Sequence, residues 1–178
     1  MTIRADTLVL GWGNPGRGDD GLGPELVRRL QAEGLPGVEA ETAYQLQVED
    51  AAEVARFRRV VFVDADRRQA DPFIFEPLHP EGGRLRFSTH SVSPATILAL
   101  ARELFGAEPE AWILGIRGHE FDEFREQLST RAAANLDQAL EFLQSTLRAT
   151  GGWELRSPRV TSTIANHHEG DQCQTTNP

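Results

Sequence analysis

Four consecutive residues, Val60-Val61-Phe62-Val63, are β-branched or aromatic with nothing polar among them, and a carboxylate, Asp64, follows at once. A strand with one face in water alternates polar and apolar residues. An unbroken run of this kind belongs to a strand covered on both faces, the condition of a parallel sheet flanked by helices. The neighbouring segments are consistent with that demand. Leu8-Val9-Leu10 reads as a buried strand, Val38 to Thr42 as a short strand, and Trp112 to Ile116 as another buried one.

Helical spacing fills the gaps. Leu26, Val27 and Leu30 recur with arginines between them, and Gly34 sits where a helix stops. Leu46 to Phe57 reads as a helix of modest amphipathicity. Ser93-Pro94 opens a strongly periodic helix through Ile97, Leu98, Leu100, Ala101, Leu104 and Phe105, closed by Gly106. Ser129 is an N-cap for a long helix with Ala132, Ala133, Leu136, Ala139, Leu140, Leu143 and Leu147 on one face. Phe73 to Leu78 and Arg84 to Ser88 flank a Pro80-Glu81-Gly82-Gly83 turn and read as a hairpin or an edge excursion. The order calls for an α/β three-layer sandwich, a mostly parallel twisted sheet of about five strands with helices on both faces. Residues 1–150 form this domain. From Gly151 to Pro178 the apolar pattern dissolves, and a disordered tail is expected.

The first strand runs into a glycine-crowded turn, Gly11-Trp12-Gly13-Asn14-Pro15-Gly16-Arg17-Gly18-Asp19-Asp20, and Gly23-Pro24 then starts a helix with Pro24 at the first helical position. The glycine spacing resembles a dinucleotide fingerprint, but a phosphate needs bare N–H groups at the helix entrance. Asp19 and Asp20 put negative charge there and favour a cation or the N–H groups of a peptide. Either aspartate has an alternative role as a cap of the following helix.

In a doubly wound sheet, ligands bind at the carboxyl edge of the strands. Asp20 in the loop after the first strand, Asp64 at the end of the third and His90 in the Thr89-His90-Ser91 loop all fall on that edge. Two carboxylates and an imidazole are a competent set for a first-row divalent ion, with positions left for other ligands. Asp66 points the same way as Asp64 if the strand stays extended, and His119 in the Gly118-His119-Glu120-Phe121 turn is a further neighbour of the cleft. Standard hydrolase signatures are missing. His167-His168-Glu169 lacks the second histidine of a zincin, no G-x-S-x-G elbow occurs, and the single Cys173 lies in the tail. The net charge of −9, spread along the chain, disfavours nucleic acid or an anionic membrane as partner. No stretch has the length of a membrane span, and a cytoplasmic monomer is expected.

The G-W-G-N-P-G-R-G-D-D-G-L-G opening, the V-V-F-V-D-A strand and the T-H-S turn before a helix resemble the hydrogenase maturation proteases, over residues 7–148. The resemblance implies an endopeptidase that removes the C-terminal extension of a nickel–iron hydrogenase large-subunit precursor after nickel insertion. Its metal-binding and catalytic residues would be Asp20, Asp64 and His90, and the nickel would be borne by the substrate rather than retained by the free enzyme. A nickel-binding accessory or chaperone protein without proteolytic activity is the alternative. Some members carry glutamate where this chain has Asp20, a reach longer by about 1.5 Å. The segment Glu41-Thr42-Ala43-Tyr44-Gln45-Leu46 lacks the Asp-Gly-Gly-Thr pattern of the uptake-hydrogenase members, and Gln45 there reads either as a substrate contact or as a helix cap.

Overall fold

The computed structural model describes residues 5–70, 72–82, 92–122 and 124–149. His90, the 84–88 segment and the tail from Gly151, with His167, His168 and Cys173, lie outside the described residues. Five strands, β1 (Thr7–Trp12), β2 (Val38–Ala43), β3 (Arg59–Asp66), β4 (Phe73–Leu78) and β5 (Glu110–Arg117), form one sheet in the order β2-β1-β3-β5-β4. All pairings are parallel except β4 against β5. The α/β architecture expected from the strand runs is therefore present, and Phe73 to Leu78 is an antiparallel edge excursion against β5.

Alternation along each buried strand divides the core in two. Val9, Val61, Val63, Leu114 and Ile116 face one way and pack under helices α1 (Leu22–Glu33) and α4 (Thr130–Arg148) through Leu22, Leu26, Leu136 and Leu143. Leu8, Leu10, Val60 and Phe62 face the other way, under α2 (Asp50–Val54) and α3 (Pro94–Phe105), against Val54, Ile97 and Leu98. Fully burying a side chain of this size contributes about 1.5–3 kcal/mol, so these two clusters are the main stabilising force of the fold. Among the described residues no helix is long and apolar enough to cross a membrane.

Local departures have local causes. Helix α1 begins at Leu22, two residues before Pro24, because a short 3-10 turn over Gly18–Gly21 feeds directly into it. Pro24 is tolerated there, since N–H groups of the first turn lack intrahelical partners anyway. Helix α2 covers only part of Leu46 to Phe57, because residues 47–49 form a turn in which the Asp50 carboxylate accepts the Gln47 N–H (2.8 Å). Leu46 and Phe57 are buried all the same, from non-helical backbone. Ser93 and Ser129 both cap as expected, their hydroxyls accepting from Thr96 N (3.1 Å) and Ala132 N (3.2 Å). Leu104 and Phe105 continue the apolar period of α3 but stand in solvent at its last turn.

Candidate metal and substrate site

The chain leaves β1 toward β2 on one side and comes back through β3 on the other, so the sheet order reverses between β1 and β3. That reversal opens a crevice at the carboxyl ends of the two strands. Asp20 follows β1 and Asp64 lies near the end of β3, one on each wall of it. The walls approach because glycines let them: a Cβ on Gly23 in α1 would meet Trp12 O at 2.5 Å and Val63 O at 2.7 Å, and one on Gly11 in β1 would meet Gly23 O at 2.5 Å. Much of the glycine crowding thus serves helix–strand contact rather than a phosphate cradle.

The adjacent aspartates have opposite tasks. Asp19 is fully buried and is engaged by the β5–α4 loop. Its Oδ2 accepts the N–H groups of His119 (2.7 Å) and Glu120 (2.8 Å) and the Ser129 hydroxyl (2.8 Å), while Oδ1 accepts Ser129 N–H (2.7 Å). Burial pushes its carboxyl up, but the donors from Glu120, Ser129 and His119 outweigh that and hold it below the ordinary carboxylate value. Asp19 does not cap the helix after it; it ties the β5–α4 loop to the 3-10 turn. Asp20 is half-buried, and its Oδ2 accepts the Asn14 N–H (3.0 Å).

Asp64 is in the contrary situation. Its pKa is pushed up to about 7, mainly by burial; the Ala65 N–H donating to Oδ1 (2.8 Å) opposes the rise, and the charges of Asp20 and Asp66 add to it. Near neutral pH this carboxyl shares its ionised form with a proton, and a cation placed beside it and Asp20 would relieve both the burial and the repulsion. The donor chemistry of the pair, two oxygen acids under mutual repulsion, fits a divalent metal.

Strand β3 stays extended through Asp66, but Asp66 Oδ1 accepts the N–H groups of Arg68 (2.7 Å) and Gln69 (3.3 Å) and closes the turn beyond the strand. His119 is placed by its backbone on Asp19, and its ring Nε2 lies 3.5 Å from Asn135 Nδ2, which donates to Arg117 O (2.9 Å). Another acidic group, Glu39, Glu41 and Glu53, lies on the β2–α2 seam, where Arg56 already takes both Glu53 oxygens. Of two further neighbours of the site, Asn14 stands in the turn already read from the sequence, and Tyr44 escaped that reading. Asn14 holds Asp20, and Tyr44, just past β2, holds Asn14 through its Nδ2 (2.6 Å). The one signal for Tyr44 was an aromatic residue leaving a strand at the same sheet edge.

No family model matches the chain. A protein of Methanocaldococcus jannaschii, provisionally named a hydrogenase maturation protease, is 28% identical over 152 residues, 79% of this chain and 95% of its own length. The chain is therefore similar to a hydrogenase maturation protease over most of its length. Solved structures agree on the fold. The hydrogenase maturating endopeptidase HybD of E. coli superposes with a TM-score of 0.64 at 22% identity, covering 84% of this chain and 94% of that one. The hydrogenase 2 maturation peptidase of a Thaumarchaeota archaeon gives 0.60 at 23%, covering 82% and 99%. These proteins carry protease and endopeptidase names, and the solved ones share the α/β fold of this chain.

Proposed function

We propose that this chain is an endopeptidase that trims a C-terminal extension from a nickel–iron hydrogenase large-subunit precursor, and that Asp20, Asp64 and His90 engage nickel already seated in that substrate. The observation that carries the reading is the pairing of Asp20 with an Asp64 carboxyl pushed up to about 7 at the topological reversal of the sheet. An isolated buried acid would relax by keeping its proton. Here Asp20 strengthens that hold on the proton, and a divalent cation between the two carboxyls displaces it and balances both charges. A substrate-borne nickel would do so only while the substrate is present, which couples recognition of the metal to recognition of the client.

The same pKa suits Asp64 to hydrolysis near neutral pH. Once nickel has displaced its proton, one carboxylate oxygen is the ligand and the other is left to accept a proton from the attacking water. Intact-mass measurement of a nickel-loaded precursor incubated with the protein tests the reading: a loss at the precursor's C-terminus is expected, with the nickel-free precursor left uncut. An unchanged mass for the nickel-loaded form, or equal cutting of both forms, would overturn it.

A further inference from the structure

Asn14 links the candidate site to a side chain with no assigned task. Its backbone N–H donates to Asp20 Oδ2 (3.0 Å), and its Oδ1 accepts the Gly16 N–H (2.8 Å). With the oxygen turned inward, Nδ2 faces out and lies 2.6 Å from Tyr44 Oη. An amide nitrogen donates and does not accept, so the tyrosine oxygen is the acceptor, and its hydroxyl hydrogen is left for a different partner.

The location of Tyr44 indicates what that partner is. Ala43, the last residue of β2, pairs with Trp12 and accepts the Gly13 N–H (3.1 Å), so Tyr44 leaves the sheet at the same edge as the Asn14–Asp20 turn. Tyrosine rings usually find apolar cover, yet this one is 67% exposed while its oxygen is held against the turn. An acceptor arriving from outside meets the Asp20 carboxylate, held by the same Asn14, which repels a substrate carboxylate and leaves a neutral oxygen unopposed. A peptide presented for cleavage is extended and carries such an oxygen, a main-chain carbonyl, at every residue.

We infer that Tyr44 is a substrate-positioning residue, its hydroxyl braced by Asn14 and donating to a main-chain carbonyl of the client's C-terminal segment where that segment passes Asp20 and Asp64. The inference rests on the endopeptidase reading above. It assigns Tyr44 to binding the peptide rather than to the hydrolytic step.

Steady-state processing of a nickel-loaded precursor by wild type and Tyr44→Phe tests it. Loss of one hydrogen bond made equally in ground and transition states should raise KM about threefold to tenfold with kcat held within about twofold. Because the residue is exposed, the melting temperature should stay within about 2 °C of wild type. An unchanged KM would overturn the inference. A fall in kcat at constant KM would overturn it too, since Tyr44 would then act only by holding Asn14 and Asp20. The wild-type arm separates the two levels: failure of the wild type to cleave defeats the endopeptidase reading and this inference with it. Normal wild-type cleavage with an unaltered Tyr44→Phe defeats the inference alone.

Discussion

Asp19 and Ser129 stand 110 residues apart in the chain, and the Asp19 carboxylate accepts both the backbone N–H (2.7 Å) and the hydroxyl (2.8 Å) of Ser129. Ser129 in turn caps α4. The turn that carries Asp20 is therefore clamped to the first residues of the last helix by one buried carboxylate, and the site inherits its rigidity from that clamp.

Removing the clamp should unfold more than the turn. Asp19→Ala leaves the N–H groups of His119, Glu120 and Ser129 without their acceptor, at an expected cost of about 3–5 kcal/mol in denaturant unfolding. Its pH dependence has a fixed sign. The folded-state pKa of Asp19 is depressed, so its contribution is present above the ordinary carboxylate pKa and is lost as pH falls through the folded value. The stability gap between wild type and Asp19→Asn should accordingly be widest near pH 7 and narrow below about pH 4. A gap independent of pH would show that the charge of Asp19 is not what the four donors hold.

Asp64 should behave in the opposite way. Its folded-state pKa is raised from 3.8 to about 7, so the stability it contributes is complete below the lower value and is lost as pH rises through the upper one. Asp64→Asn removes the charge but keeps the shape. Its melting temperature at pH 8 should exceed that of the wild type by roughly 2–4 °C, and the difference should vanish near pH 4. Equal melting curves at both pH values would mean that water already relieves this carboxyl.

The Gly11–Gly23 crossing sets the spacing of the crevice walls. Gly23→Ala places a methyl group against the backbone oxygens of Trp12 and Val63, which cannot move aside as a side chain can. A loss of about 1–3 kcal/mol is expected in chemical unfolding, and a fall in precursor processing should accompany it because the α1 entrance shifts relative to Asp64. Full activity and stability in this variant would show that the walls have slack.

Much of this fold was legible in the sequence, and the reason is physical. The Val60–Val63 run has only one comfortable environment, a strand buried on both faces, and the caps at Ser93 and Ser129 are local hydrogen-bonding motifs written in adjacent residues. The placement of Asp20 and Asp64 on one edge followed from strand polarity alone. What was not legible depends on contacts distant in the chain. The role of Asp19 stayed open between a helix cap and a charge at the helix entrance, because its partners, His119, Glu120 and Ser129, come from a loop whose position relative to the first turn no local pattern encodes. Tyr44 and Asn14 meet across two strand ends, and α2 is shortened by a turn that its apolar spacing conceals.

Processing of a nickel-loaded precursor by Asp20→Asn and Asp64→Asn beside the wild type, with His90→Ala as the third member of the expected set, tests metal recognition at the sheet reversal. Each substitution removes a coordinating charge or lone pair and little packing, so the variants should fold, with melting curves cooperative as in the wild type, and leave the precursor at its full mass. Maturation at the wild-type rate by either aspartate variant would show that the carboxylate pair at the sheet reversal is not what reads the metal.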